Sequence, residues 1–351
     1  MEISARNTAC LIAVIIMGGT LGQGSGATGR DSWIAMLISG LFALPFILLY
    51  SAISARYPDK GLFDMLAEAL GRVGNFFVFA MSLAAILLCS FELKTLTDYT
   101  AAVALSRTPP LVIALCILSV SLYLASSGVA NLGKWSVVVL VIAVLNLLLT
   151  TAMSVELMRL THLQPLANHD ARLFGSDILR YAVSAFGNTV FVLTIIGEMR
   201  ENPYKAFLSG ASVGLAMIVA VTLRNIMVLG SELFVSSRYP SYAMTRIIKL
   251  KNFVEHIETP SAFVEHLIGI TKIALFLRTA SSGMARLLGS DERRRLLTVG
   301  LASLLPAIGL AAVGRAVLLP IYCSYALSFC LLIPVVSWVF SGERKSRRSP
   351  D

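Results

Sequence analysis

The first apolar run of the chain, Cys10-Leu11-Ile12-Ala13-Val14-Ile15-Ile16-Met17, begins as a membrane helix and then dissolves into Gly18-Gly19-Thr20-Leu21-Gly22-Gln23-Gly24-Ser25-Gly26. Each glycine weakens a helix by roughly 1 kcal/mol relative to alanine. A lipid-facing helix gains nothing from so many of them. Backbone released from its helix inside a bilayer is tolerated only where it is buried in protein or lines a cavity. Discontinuous helices near the midplane are also how many transporters build a ligand site. The segment therefore predicts a membrane protein that holds a small polar molecule inside its bundle.

The rest of the chain agrees with that class. Hydrophobic residues make up 56% and charged residues only 14%, against about 25% charged in soluble domains. No cleavable leader is expected, because the first apolar run merges into the glycine segment without a small-residue cleavage site. The net charge of +9 does not point to nucleic acid. The basic residues fall in short loops and in Arg344-Lys345-Ser346-Arg347-Arg348, the pattern of anchoring against an anionic lipid surface. Cys10, Cys89, Cys116, Cys323 and Cys330 lie within apolar runs and read as small buried hydrophobes. His162, His169, His256 and His266 lie in or beside the two longest polar stretches. Their spacing matches no metal motif, so they read as solvated loop residues. No cofactor is implied, and no triad, phosphate loop or zinc motif suggests an enzyme.

Taking about 20 apolar residues per span, the pattern predicts an all-α polytopic protein with ten transmembrane helices. The first five lie at about 7–28, 32–53, 74–97, 109–126 and 133–154, and the last five at about 181–199, 205–230, 262–288, 296–314 and 317–340. Leu62 to Gly71 is a short amphipathic stretch expected to lie in the interface plane. Glu156 to Arg180 and Ser231 to Pro260 read as long polar connections. The sixth segment carries a second interruption, Ser184-Ala185-Phe186-Gly187-Asn188-Thr189. Interruptions at matching places in two five-segment halves are the mark of an inverted repeat. The expected organisation is one integral domain over 1–351. Its repeats cover about 7–154 and about 181–340, with broken helices 1 and 6, and 341–351 forms a basic cytoplasmic tail. Basic residues in the short connections (Arg56, Lys60, Arg72, Lys134, Lys205, Arg286) and in the tail place both termini in the cytoplasm.

Several motifs, taken in order and spacing, resemble a known family. Gly29-Arg30-Asp31-Ser32-Trp33-Ile34 resembles its turn between the first two segments, and Tyr57-Pro58-Asp59-Lys60-Gly61-Leu62 followed by Gly71 its stretch after the second. Leu229-Gly230-Ser231-Glu232-Leu233 with Arg238-Tyr239-Pro240-Ser241-Tyr242 resembles the exit of its seventh segment. Ile270-Thr271-Lys272-Ile273 resembles its lysine-bearing eighth segment. The chain thus resembles, over almost its whole length, the spore germination permease-like proteins, the B subunits of nutrient germinant receptors. The resemblance implies the five-plus-five fold of the amino acid–polyamine–organocation transporter superfamily. It also implies partner A and C subunits and a place in the spore inner membrane.

Gly18, Gly19, Thr20 and Gly22 are the leading candidate ligand residues. Unwound N–H and C=O groups there would hold an amino acid's carboxylate and ammonium. The alternative is tight helix packing through small-xxx-small spacing. Gly187, Asn188 and Thr189 are the matching candidates in the sixth segment, with interhelical hydrogen bonding as the alternative. Lys272 lies well inside the eighth segment, where an ammonium costs at least about 2.5–3.5 kcal/mol without a partner. It is a candidate for coupling or locking the first segment against the eighth. Glu265, on the same helical face, is the nearest acid in sequence, and a structural ion pair is the alternative. Arg224 near an end is expected to snorkel, Arg278 has no partner visible in the sequence, and Glu92 and Lys94 read as interfacial. The amphipathic stretch from Arg246 to Ile257 would cap the outer vestibule, dock a partner subunit or form an ordinary surface helix. With the resemblance, these features imply a receptor subunit that binds a small nutrient, an amino acid, between broken helices 1 and 6 and signals to its partners. Open beside it are a proton-coupled amino acid permease and a scaffold subunit with a vestigial site.

Overall fold

A computed structural model describes residues 3–20, 26–57, 60–165, 170–199, 201–248, 258–289 and 291–312, with Val335. Gly22, all of the tenth expected segment but Val335, the basic tail, Cys323, Cys330, His169, His256 and most of the stretch after Ile248 lie outside the described residues. All regular structure among the described residues is helical.

The first helix, α1 (Ala5–Gly18), starts where the Ser4 hydroxyl accepts from Asn7 N at 3.2 Å. Its fourteen residues rise about 21 Å, short of the roughly 30 Å hydrocarbon core. It therefore stops inside the bundle. Leu11 to Ile16 are fully buried, as expected of a helix that is apolar all round and covered on every side.

The chain then shuttles between the two ends of the bundle. It runs through α2 (Ser32–Arg56), the short α3 (Leu62–Leu70), α4 (Arg72–Val103), α5 (Pro110–Ser126) and α6 (Val129–Ser154). There follow α7 (Ala171–Tyr181), α8 (Pro203–Ser236), α9 (Pro240–Ile247), α10 (Glu258–Leu288) and α11 (Glu292–Ala312). Polar contacts mark each end. On the side where α1 begins, the N-side, Ala5 N donates to Glu201 Oε2 at 2.8 Å and Arg286 pairs with Asp64. On the far side Arg238 pairs with Asp98 at 3.2 Å, and Asp177 accepts from Thr28 N at 3.0 Å and Thr28 Oγ1 at 2.8 Å. Large apolar side chains such as Leu41, Phe76, Leu145, Leu148 and Leu305 point outward, which suits a bundle solvated by lipid. Five of the described helices are long and apolar enough to cross a membrane, while α1 and α5 are shorter apolar helices.

The boundaries correct several expectations. The stretch from Glu156 to Arg180 is not a plain loop. It contains α7, capped by Asp170, whose Oδ1 accepts from Arg172 N at 2.7 Å; hydropathy misses it because Arg172, Asp177 and Arg180 lie within it. Past α7 the chain forms a π-helical turn over Ala182–Phe186 and a 3-10 helix over Gly187–Thr194. The sixth segment is thus rewound rather than simply interrupted. The α3 helix buries Leu62, Phe63, Met65 and Leu66 against protein. The α8 helix continues past Gly230, which takes φ 74° and ψ 168°, a region essentially reserved for glycine. The carbonyl of Met227 that this kink exposes accepts from Arg159 N at 3.0 Å and from His162 Nδ1 at 2.8 Å. His162 is therefore a helix cap, not a solvated loop residue. His266 lies within α10, with Nε2 2.7 Å from Thr100 Oγ1. Cys116 is exposed on the outer surface and not buried.

Candidate functional site

The end of α1 is the centre of the site. Among the described residues α1 ends at Gly18, and Lys272 Nζ of α10 donates to the Gly18 carbonyl at 3.1 Å. The same ammonium forms an ion pair with Glu92 of α4, and both side chains are almost fully buried (relative exposure 1% and 4%). One cation therefore ties α1, α4 and α10 together, lying also 5.9 Å from the Phe276 ring centroid. Glu92 is not interfacial, and Glu265 is not the partner of Lys272. Glu92 lies 180 residues away in sequence, so no local spacing could pair them. A carboxylate inside the apolar run Cys89-Ser90-Phe91-Glu92-Leu93 was nonetheless a visible signal, since intramembrane charges demand partners.

The two interrupted segments meet backbone to backbone. A Cβ placed on Gly19 would lie 2.1 Å from the Ser184 carbonyl oxygen and 2.4 Å from Ala185 Cα. Only glycine permits that approach. The same Ser184 carbonyl accepts from Asn188 Nδ2 at 2.8 Å, while Thr189 Oγ1 donates to Phe186 O at 2.6 Å. Asn188 and Thr189 are fully buried and hold the rewound segment in shape. Ser184 Oγ is buried with no hydrogen-bond partner among the described residues.

Just beyond the end of α1 lies a cavity of about 110 Å³. Met17 and Thr20 form its floor side, with Tyr99 of α4, Thr222 and Asn225 of α8, Glu265 of α10, and Tyr239 and Tyr242 near α9. Behind its wall Arg224 is buried and does not snorkel: Nη2 donates to Asn225 Oδ1 at 3.0 Å and Nη1 to Thr150 Oγ1. Asn225 Nδ2 in turn donates to Ser241 Oγ at 3.0 Å. Tyr99 stacks edge-on to Tyr239 at 4.9 Å between centroids. Arg238, over the Tyr239 ring and paired with Asp98, also lines the cavity. Of the sequence-derived candidates, Thr20 lines this cavity. Gly18, Gly19 and Lys272 form the junction beside it, and Gly187 lines a different, apolar cleft with Phe46 and Tyr50. Arg278 is tied at the N-side, 3.5 Å from Glu292 Oε1 and 3.3 Å from the Ala125 carbonyl.

An apolar bundle, a first helix that ends halfway, a rewound counterpart against it and a polar cavity at the junction define a multi-pass membrane protein of the transporter fold. Solved structures carry the same architecture. Mhp1, a nucleobase-cation-symport-1 family transporter in a closed conformation with bromovinylhydantoin bound, matches with a TM-score of 0.68 at 14% identity, over 95% of this chain and 77% of that one. A manganese transporter of Eremococcus coleocola matches at 0.60 and 14%, over 96% and 76%.

The sequence decides between the branches of that fold. The family of spore germination proteins known as the spore permeases matches residues 2–312, and the chain belongs to it. Spore germination protein KB of Bacillus subtilis (strain 168) is 23% identical over 99% of this chain and 96% of its own length. Spore germination protein A2 of the same organism is 21% identical over 88% and 86%. Family and fold together point to a membrane receptor or transporter rather than an enzyme.

Proposed function

We propose that this protein is the membrane subunit of a spore nutrient germinant receptor and that its ligand is a small nutrient, an amino acid. The observation that carries the reading is the cavity that opens at Thr20, two residues past the Gly18 carbonyl held by Lys272. A guest in that cavity touches α1, α4, α8 and α10 at once. It can therefore favour one packing of these helices over another, and differential affinity for the two packings is all a signal requires. Lys272 serves as the lock, a tethered cation at the end of α1. Ser184, Gly19 and Asn188 keep the rewound segment in register with it. The N-side is cytoplasmic, as the basic residues of the short connections suggest. The protein lies in the spore inner membrane, and A and C subunits read its state.

The test is amino acid binding to the purified full-length chain in lipid nanodiscs, paired with germination of spores carrying the same variants. Asn225→Ala, which removes a cavity wall residue, should weaken binding of the responsive amino acid at least tenfold and shift the germination dose-response by a similar factor. Binding without any germination defect on deletion would sink the receptor role. No binding of any nutrient would leave a scaffold subunit.

A second reading has specific support. Proton-coupled permeation needs titratable carboxylates inside the bundle, and Glu92 and Glu265 both lie within membrane-spanning helices. Proton-driven uptake into vesicles by the isolated chain, lost in Glu265→Gln, would favour it.

A further inference from the structure

A second recess lies on the N-side, between α1, α6 and α8. It is an open cleft of about 400 Å³ lined by Ala5, Arg6, Ala9, Cys10, Leu140, Lys205, Ser209, Gly210 and Val213. Its two charges are both positive and exposed, and neither Arg6 nor Lys205 has an ion-pair partner among the described residues. Glu201 lies at the same end, but it caps α1 through Ala5 N at 2.8 Å and lines a different pocket. Both cations sit in the opening turns of their helices. The apolar wall runs inward from them. At 1.5 Å per residue, Cys10 is about 6 Å and Val213 about 12 Å deeper than the neighbouring cation. Val213 is exposed on the outer surface of the bundle, so the cleft opens sideways to lipid as well as to the membrane surface.

This is the shape and polarity of an amphiphile: two cations at headgroup level and an apolar trough descending into the hydrocarbon. We propose that the cleft binds an anionic phospholipid. Arg6 and Lys205 take the phosphate, and one acyl chain lies along Ala9, Leu140 and Val213. Basic recesses between membrane helices are suited to such headgroups, and the N-terminal ends of α1 and α8 add favourable dipoles. The lipid would sit on the seam where α1 meets α8. That seam is tight: a Cβ on Gly210 would lie 2.6 Å from the Ala9 carbonyl, and one on Gly214 2.8 Å from Ile16 Cβ. An occupant there braces α1 from the side opposite Lys272. The inference stands independently of what the central cavity binds.

The experiment is a native mass spectrometry titration of the full-length chain in detergent with phosphatidylglycerol, phosphatidylcholine and, separately, glycerol phosphate. Phosphatidylglycerol should be retained, with phosphatidylcholine and glycerol phosphate each at least tenfold weaker. The double variant R6Q/K205Q should lose about thirtyfold in phosphatidylglycerol affinity, at the usual contribution per cation near a membrane surface. The variant R6K/K205R should keep it. Ser209→Trp, an exposed position that can carry the indole without repacking the core, should obstruct the trough and cost tenfold or more. Equal retention of phosphatidylcholine would overturn the role of the cations. Equal binding of glycerol phosphate would overturn the acyl trough. Unchanged affinity in R6Q/K205Q would place the lipid elsewhere.

Discussion

Replacing Lys272 with methionine removes the cation of a buried pair and leaves the Glu92 carboxylate among apolar side chains. Such one-sided removal costs about 3–5 kcal/mol, because the remaining charge loses its countercharge. Loss of the bond to the Gly18 carbonyl adds roughly 1.5–3 kcal/mol where that carbonyl finds no other donor. Against a total stability of about 5–15 kcal/mol the change is large. At roughly 2 °C per kcal/mol, the purified chain should melt about 6–10 °C lower from the ion pair alone in a detergent thermal-shift assay, and up to about 16 °C lower with the carbonyl bond included. Glu92→Gln should be comparably damaging, since it strands the ammonium. The double variant Glu92→Leu with Lys272→Met should recover most of the loss, because an apolar pair of similar volume often matches a buried ion pair. It also separates stability from function. A well-folded double variant that has lost the tie between α1 and α10 should show an altered ligand response if the pair is a lock, and an unaltered one if it is only structural. A Lys272→Met protein melting within about 1 °C of the parent, or a double variant no better than either single, would refute the energetic argument.

Three further outcomes follow from the geometry. Gly19→Ala should abolish folded expression, because its Cβ would lie 2.1 Å from the Ser184 carbonyl, whereas Gly18→Ala, facing the movable ends of Ile268 and Lys272 at 3.0 and 3.2 Å, should be isolated with a loss of about 1–3 kcal/mol; monodispersity on gel filtration separates the two. Gly230→Ala should cost about 1–3 kcal/mol, since φ 74° with ψ 168° is strained for any residue with a Cβ, and the thermal-shift assay reads it directly. His162→Ala should lower stability by about 0.5–1.5 kcal/mol, the net worth of one hydrogen bond, and hydrogen exchange around Met227 and Ser231 should rise while that of α1 stays unchanged.

The class of the protein and the place of its first break were legible in the residues themselves. Runs of apolar residues long enough to cross a bilayer leave no soluble alternative, and glycine clusters within them announce lost helix because their cost is local. Lys272 was legible for the same kind of reason: a cation inside an apolar run must be compensated somewhere. Who compensates it was not legible. Glu92 and Lys272 meet because α4 and α10 pack against each other, and nothing near either residue in sequence encodes that meeting. Asn188 and Thr189 show the converse. Their polarity marked the second interruption correctly; the hydrogen bonds described for them hold their own segment's backbone, while the cavity wall draws on Tyr99, Asn225 and Glu265 from three other helices. Arg224 looked free to snorkel because its sequence position is near a helix end; Thr150 of α6 and the adjacent Asn225 hold it inside.

The sequence alone thus determined a lipid-solvated helical bundle, the interruption at Gly18 and the need for a partner to Lys272, since these depend on local hydropathy, local helix propensity and the cost of an isolated charge. Only the tertiary structure decided that Glu92 supplies the countercharge, that Gly19 touches Ser184, and that the polar cavity opens at Thr20. Each of those is a contact between segments distant in the chain, and packing, not periodicity, chooses which distant segments meet.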